Sequence, residues 1–443
     1  MKQLGLLTLL LLLGPQASFA IQVAETEPLA PEEQRQRFTL PEGFDIQLVV
    51  SEPDIGQPMN LNLDARGRLW ISHSIEYPFP ARGEGVEGNR GRFAGDGHDH
   101  PRDRLTRVEI GPDGAAKQLS HFATGLNIPI GQTPMGDGSR ALVYGIPSIF
   151  DCADEDGDGV AETKKTLFTG FGNRDTHGMA NSFTRWIDGW IYGCHGFANT
   201  SEIEDGEGRV TSLSSGNTYR FKADGSRFES FTFGQVNPFG MTFDPWGNLY
   251  DADCHSKPVY LLLRGARYPH FGNKPDALGF GPTMIDHNHG STGVCGPAYY
   301  AADRFPEDYR DNLFICNPVS EKVHRDKLVR FGSTLFTDTQ PDFITCDDPW
   351  FRPVDAIVGP DGALYIADFY NAIIGHYEQP LTHPKRDRIH GRVWRVVFGD
   401  TPPPEDLVGL SEKELLQRLD HPNLAVRVAA THLLVERGVR PSI

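Results

Sequence analysis

Short apolar segments recur along the chain, each after a turn that contains aspartate and glycine. The clearest copies are residues 64–73, 188–195, 244–253 and 361–368, and weaker copies are residues 140–145 and 312–316. A short apolar and aromatic run bounded by turn residues is typical of a β-strand. The copies are about 60 residues apart, which leaves room for four strands and their turns. The pattern therefore predicts an all-β fold, a six-bladed β-propeller over residues 38–398. A β-sandwich, the competing all-β fold, predicts strands at shorter regular spacing.

Polar residues end the clearest copies of this pattern. They are His73, His195, Asp253 and Asp368. The innermost strand of each blade lines the central channel of a propeller. If the repeated segment is that strand, these ionisable side chains face one funnel and are candidates for a site. The alternative is that they are strand-end residues that only face solvent.

The pattern changes at the C-terminus. Residues 399–409 form a proline-rich linker, and residues 410–443 contain two segments with apolar residues at helical spacing. Ser411 and Glu414 have the spacing of a capping box, and Gly438 is a typical helix stop. The helical pair resembles one HEAT repeat, which cannot bury its own apolar face. We expect that the pair docks on the propeller or that the natural protein continues.

The N-terminus has the pattern of a secretory signal peptide over residues 1–20. Lys2 precedes an apolar run at residues 4–13, and small residues flank a cleavage position after Ala20. The run is too short to span a membrane, for which about 20 apolar residues are needed. We therefore expect an exported protein, periplasmic or extracellular, with no membrane span after cleavage. Residues 21–37 would form a linker before the propeller.

Composition agrees with a turn-rich, exported protein and excludes some partners. The chain has 48 Gly and 33 Pro, which is unusual for a helical bundle. Its 42 Lys and Arg against 59 Asp and Glu give a net charge of −17, so the surface repels nucleic acid. Six cysteines permit disulfides, but their pairing stays open. No Cys-x-x-Cys-His occurs, so we expect no covalent haem.

An acidic loop has the spacing of a calcium site. Its predicted ligands are the side chains of Asp154, Asp156 and Asp158, the carbonyl of Val160 and the side chain of Glu162. Lys165 stands where such loops usually have their last acidic ligand. The alternative is an acidic surface turn, although neighbouring carboxylates repel one another without a cation. We expect a structural calcium ion here.

A basic cluster stands out near the end of the predicted propeller. It contains Arg386, Arg388, Arg392 and Arg395, together with His390. The cluster is a candidate for binding an anionic ligand at the channel mouth. The alternation over residues 392–395 also suits an ordinary closing strand.

Several of these motifs resemble known propeller families. His177 and residues 188–192, 237–249, 264–268 and 351–362 resemble the soluble glucose/sorbosone dehydrogenases, which use pyrroloquinoline quinone and calcium. Residues 154–159, 289–296, 305–314 and 387–395 resemble the N-terminal propellers of PVC-type proteins named as membrane-bound dehydrogenases. Such proteins often continue into HEAT repeats and a cytochrome domain. The resemblance therefore implies a redox partner such as a cytochrome.

The resemblance also implies roles for individual residues. His177 would be the general base that takes the hydroxyl proton, and Asn237 and Arg352 would contact the quinone. Cationic residues of the quinone enzymes are replaced in this chain. Their positions are occupied by Val236, Val319 and Val354.

Three functional hypotheses follow. The first is a quinone-dependent dehydrogenase that oxidises a sugar or another alcohol with His177 as base. The second is a non-enzymatic propeller that binds carbohydrate or protein within a larger redox assembly. The third is a calcium-dependent lactone or ester hydrolase, in which a metal activates water.

Overall fold

A computed structural model describes residues 23–87, 97–254, 259–269, 289, 291, 293–332, 334–375 and 379–439. The predicted signal peptide therefore lies outside the described residues. The N-terminal part contains helix α1 (Pro31–Arg35) and strands β1 (Phe38–Thr39) and β2 (Phe44–Ser51). Among the helices that the structure describes, none is long and apolar enough to cross a membrane.

The first three blades follow along the chain. Blade 1 contains β3 (Gln57–Leu63), β4 (Leu69–Ser74), β5 (Asp103–Ile110) and β6 (Ala116–Leu126). Blade 2 contains β7 (Gln132–Met135), β8 (Arg140–Gly145), β9 (Ser148–Ala153) and β10 (Thr163–Thr169). Blade 3 contains β11 (Ala180–Arg185), β12 (Ile191–His195), β15 (Gly216–Phe221) and β16 (Phe228–Gln235), with a hairpin of β13 (Thr200–Glu204) and β14 (Val210–Ser214) inserted.

The remaining blades complete the ring. Blade 4 contains β17 (Asn237–Phe243), β18 (Leu249–Cys254) and β19 (Val259–Leu262). Blade 5 contains β20 (Cys295–Tyr299), β21 (Asn312–Asn317), β22 (Lys322–Phe331), β23 (Thr334–Thr339) and β24 (Ile344–Cys346), with β1 at its edge. Blade 6 contains β25 (Pro353–Val358), β26 (Leu364–Asp368) and β27 (Arg392–Phe398), with β2 at its edge. The predicted six-bladed propeller is confirmed.

The N-terminal strands close the ring by pairing with blades at the other end of the chain. Strand β2 pairs antiparallel with β27, and β1 pairs with β24. The Arg392 guanidinium donates to the Glu52 carboxylate at 2.7 Å and lies 3.7 Å from the centre of the Tyr370 ring. These contacts protect the outer edges of two blades, which would otherwise be open to pairing with other chains.

The repeated aspartate of the sequence pattern fastens each turn to the strand that follows it. Its carboxylate accepts a hydrogen bond from an aromatic side chain on that strand. The pairs are Asp64 with Trp70 at 2.8 Å, Asp188 with Tyr192 at 2.7 Å, Asp244 with Tyr250 at 2.8 Å and Asp361 with Tyr365 at 2.8 Å. The repeat therefore reflects one local hydrogen bond that is made in four blades.

A C-terminal hairpin of α2 (Glu412–Arg418) and α3 (Leu424–Glu436) docks across one mouth of the channel. Ser411 caps α2 in a capping box with Glu414, as predicted. The Asn423 side chain donates to the Gly359 carbonyl at 2.8 Å, and the Leu424 N–H donates to the Ala301 carbonyl at 2.8 Å. Docking on the propeller, one of the two expected alternatives, therefore occurs, and it leaves a cavity of about 180 Å³ beneath α3.

Candidate functional site

The strand-end residues do not lie on the channel-lining strands. The strands that contact one another around the central channel are β3, β7, β11, β17, β20 and β25. The four residues instead lie at or next to the end of the second strand of their blades; they are His73 in β4, His195 in β12, Asp253 in β18 and Asp368 in β26. The expectation that these side chains end the innermost strands and face one funnel was therefore wrong. A turn-and-strand pattern identifies a strand, but it does not identify the place of that strand in the sheet.

These buried residues hold the segments that lead into the innermost strands or pack within a blade. His73 Nδ1 accepts the Gly56 N–H at 3.0 Å just before β3, and burial lowers the pKa of His73 to about 3. The Asp253 carboxylate accepts the N–H of Asn237, the first residue of β17, at 2.6 Å. Burial likewise lowers the pKa of His195 to about 4. The two histidines are therefore neutral at physiological pH and act as structural hydrogen-bond partners.

Asp368 has the same structural role in blade 6. Its carboxylate accepts the backbone N–H of Arg352 at 2.9 Å and the side-chain N–H of Gln34 in α1 at 2.8 Å. Burial raises the pKa of Asp368 to about 6. This aspartate therefore ties the N-terminal segment to the start of β25.

His177 lies in the loop before β11 and is half-buried. Its Nδ1 lies 2.7 Å from the hydroxyl of Tyr77, a residue of the loop after β4. The backbone N–H of His177 donates to the Asp175 carboxylate at 3.0 Å, and the Thr176 hydroxyl donates to the Pro78 carbonyl at 2.8 Å. Burial raises the pKa of Tyr77 well above its ordinary value, so this partner stays a neutral hydroxyl.

Asn237 packs against the same loop. Its Oδ1 accepts the Phe197 N–H at 2.9 Å. A Cβ atom added to Gly178 would come within 2.7 Å of this oxygen, and a side chain on Gly196 would also collide with it. Glycine at these two positions therefore allows the side chain of Asn237 to lie directly beside the segment that carries His177.

Arg352 is fully buried, and its guanidinium is already occupied by the chain. It donates from Nη1 to the Pro318 carbonyl at 2.7 Å and to the Glu321 carboxylate at 2.8 Å, and from Nε to the Asn371 carbonyl at 3.0 Å. Glu321 thus neutralises the positive charge of Arg352, which was expected to contact a quinone. No local sequence pattern identifies Glu321 or Tyr77, because their partners, Arg352 and His177, are far away in the sequence.

His177, Asn237 and Arg352 share one face of the propeller. Each lies at the start of an innermost strand or just before it, whereas α3 docks where these strands end. The resemblance residues therefore lie on the face opposite α3, where Asn237 packs beside the segment of His177. We call this surface the His177 face, defined by Tyr77, His177, Asn237 and Arg352.

The predicted calcium loop lies elsewhere, between β9 and β10 at the outer part of blade 2. One ligand atom from each of four acidic side chains lies within 4.8 Å of the others; they are Asp154, Asp156, Asp158 and Glu162. Asp154 is buried, and its carboxylate accepts the N–H groups of Gly157 and Gly159 at 2.7 and 2.9 Å. The loop can therefore hold a cation. The Val160 carbonyl as a further ligand stays a prediction.

These features define a six-bladed β-propeller. A glucose dehydrogenase structure is similar with a TM-score of 0.51 and 17% identity, over 79% of this chain and 98% of that chain. A glucose dehydrogenase from Thermus thermophilus is similar with a TM-score of 0.50 and 16% identity, over 80% of this chain and 100% of that chain. At these identities the likeness shows the fold alone.

The chain belongs to the family described as Domain of unknown function (DUF7133), whose model matches residues 30–400. No curated protein matches the sequence. The resemblance to PVC-type propellers and the HEAT character of the hairpin stay predictions.

Proposed function

We propose that the protein binds a sugar or another alcohol on the His177 face and that His177 accepts the proton of the bound hydroxyl. The observation that carries this proposal is the hydrogen bond between His177 Nδ1 and the Tyr77 hydroxyl. A general base needs a defined orientation and a fixed tautomer. The neutral Tyr77 hydroxyl orients the half-buried ring and can accept the hydrogen of Nδ1.

In the oxidation, the hydroxyl proton would pass to this pair, and the hydrogen on carbon would leave with its two electrons for an added electron acceptor, such as the dye of the assay below. When Nδ1 carries the ring hydrogen, it donates to the Tyr77 oxygen, and Nε2 has the lone pair that accepts the substrate proton. The same hydrogen bond then stabilises the imidazolium that forms. Asp175 holds the backbone of His177, so the ring keeps its position during the transfer. Positioned general bases of this kind contribute about 100- to 10,000-fold to a rate.

The residues at the expected quinone contacts do not fit that cofactor. The guanidinium of Arg352 is bonded to Glu321 and to two carbonyls, and Asn237 Oδ1 is bonded to the Phe197 N–H. Valines occupy the positions of the other cationic contacts. A quinone carries negative charge during the reaction, which these groups leave without a partner. We therefore assign no step to a quinone.

The same observation favours a second candidate function. A propeller whose buried arginine is neutralised by Glu321 can bind carbohydrate without oxidising it and act within a redox assembly, with a cytochrome as the proposed partner. The third hypothesis, a lactone hydrolase, needs a metal near the substrate. Among the described residues, the metal-binding group found lies between β9 and β10, so the geometry does not favour hydrolysis.

One assay separates these candidates. The purified protein is tested for binding and for dye-linked oxidation of a panel of aldoses and alcohols, with and without added pyrroloquinoline quinone and calcium. Oxidation would support a dehydrogenase, and oxidation only with the quinone would overturn our statement on its fit. Binding without oxidation would support the second candidate. Absence of both would contradict the proposed function.

We further propose that calcium binds the loop between β9 and β10 and stabilises blade 2. Calcium at about 100 times its dissociation constant should stabilise the fold by about 2.7 kcal/mol and raise the melting temperature. Asp156→Asn should reduce this effect, because it removes a ligand charge but keeps the oxygen that accepts the Asp158 N–H at 3.1 Å. Differential scanning fluorimetry with calcium, magnesium and EDTA measures the shift.

The control for this prediction is Asp113→Asn, in the exposed turn between β5 and β6. This variant should keep the full calcium response. A wild-type melting temperature that calcium leaves unchanged would show that the loop is an acidic turn without a structural ion.

A further inference from the structure

We propose that the ligand of the His177 face is an anionic sugar, carrying a carboxylate or a sulfate, and that Arg388 binds its charged group. This inference rests on the proposed function and adds the substrate class to it. The four arginines of the basic cluster have different environments in the structure. Three of its four arginines are used by the fold, and Arg388 is not.

Arg392 and Arg395 are buried structural residues. Arg392 pairs with Glu52, as described for the closure of the ring. Arg395 donates from Nε and Nη2 to the Asp361 carboxylate at 2.9 and 2.8 Å. Both therefore have a bonded carboxylate of this chain and are not available to a ligand.

Arg386 also has partners in the protein. Its guanidinium donates to the carbonyls of Gly375 at 2.7 Å, Gln379 at 2.9 Å and Pro380 at 3.0 Å. These bonds hold together the loop that leads to β27. Arg386 thus shapes the surface on which Arg388 lies.

Arg388 has a different environment. It is half-buried, and its guanidinium lies 5.4 Å from the centre of the Phe79 ring. Within the described part of the chain it has no hydrogen bond and no ion pair. Burial lowers the pKa of Arg388, but an arginine keeps its charge at physiological pH. Two carboxylates act on Arg388 without bonding to it. Glu76 is bonded to Arg102 at 2.6 Å, and Asp103 accepts the Ser74 hydroxyl at 2.7 Å.

Arg388 packs on the loop after β4, and the same loop contacts His177. The ring of Phe79 contacts the Arg388 guanidinium, and Phe79 is two residues from Tyr77. The Tyr77 hydroxyl is hydrogen-bonded to His177 Nδ1. Between them, the Pro78 carbonyl accepts the hydroxyl of Thr176, the residue before His177. The proposed ligand presents a hydroxyl to His177 and its charged group to Arg388.

The chemistry of this position points to an anion. A partly desolvated guanidinium without a counterion is unfavourable, and its planar fork matches a carboxylate or sulfate with two hydrogen bonds. The chain as a whole has a net charge of −17. An arginine without a bonded counterion, packed on the loop that contacts His177, is therefore not explained by the average surface charge.

Calorimetric titration of matched sugars tests the proposal. The probes are glucose, glucuronate and glucose 6-sulfate, together with the galactose and mannose series. Wild-type protein should bind the anionic member of at least one series about 10- to 100-fold more tightly than its neutral member, the effect of a charged hydrogen bond. The preference should weaken as salt screens the charge. The anionic sugar that binds more tightly, the carboxylate or the sulfate, identifies the charged group that the protein recognises.

Arg388→Gln should reduce the preference to less than about threefold, while Arg330→Gln, on the exposed part of β22, should leave it unchanged. Arg388→Lys keeps the charge and should keep part of the preference, which separates recognition from a folding defect. Equal binding of neutral and anionic sugars, or an unchanged preference in Arg388→Gln, would overturn this inference alone. Binding of no sugar would overturn the proposed function and this inference together.

Discussion

His177→Asn is expected to lower the turnover of any sugar that the wild type converts by about 100- to 10,000-fold. The asparagine side chain still fits the loop before β11, but its amide cannot accept the hydroxyl proton. Sugar binding should fall much less, because the amide of asparagine can still form a hydrogen bond with the sugar hydroxyl. Steady-state kinetics combined with calorimetric binding measures the two effects separately.

The control for this variant is His421→Asn, which removes a histidine near the start of α3 on the opposite face of the propeller. Turnover in this variant should match that of the wild type. A His177→Asn protein that turns over its substrate at the wild-type rate would show that another group takes the proton.

Asp361→Ala should destabilise the protein by about 3–5 kcal/mol, because it leaves a buried guanidinium without its carboxylate. Asp361 Oδ2 accepts two hydrogen bonds from Arg395 and one from the Tyr365 hydroxyl at 2.8 Å. Arg395 also donates to the carbonyls of Thr401 at 3.2 Å and Pro402 at 2.9 Å. Urea unfolding followed by tryptophan fluorescence measures the loss in the free energy of unfolding.

The matched control removes an exposed aspartate that also pairs with an arginine. Asp45 lies 3.0 Å from Arg35, and the side chains are 55% and 48% exposed. Because solvent screens such a pair, Asp45→Ala should cost only about 0–1 kcal/mol. Equal losses in the two variants would contradict the expected difference between a buried and an exposed ion pair.

The fold could be predicted because its signal is local. Each aspartate of the repeated pattern binds an aromatic residue on the next strand, so turn, spacing and strand appear together in the sequence. The acidic loop of Asp154 could also be predicted, because its acidic residues are contiguous in the sequence. The place of a strand within its blade is set by pairing with strands far away in the chain. This is why His73 and Asp368 were assigned to the wrong strand.

The site could be predicted only in part. His177 and Asn237 were identified through resemblance, and they do lie together. Tyr77 is 100 residues from His177 in the chain, and the partners of Arg352 come from separate loops. No local pattern distinguishes Arg388 from its three neighbouring arginines either. Their difference depends on which carboxylates and carbonyls the fold brings to each guanidinium.

The central claim is that a sugar binds at the His177 face. A crystal structure of the protein with glucose or glucuronate, whichever binds more tightly, tests this claim most directly. We expect a sugar hydroxyl within about 2.6–3.2 Å of His177 Nε2. A sugar bound instead in the cavity beneath α3 or at the outer edge of a blade would contradict the account.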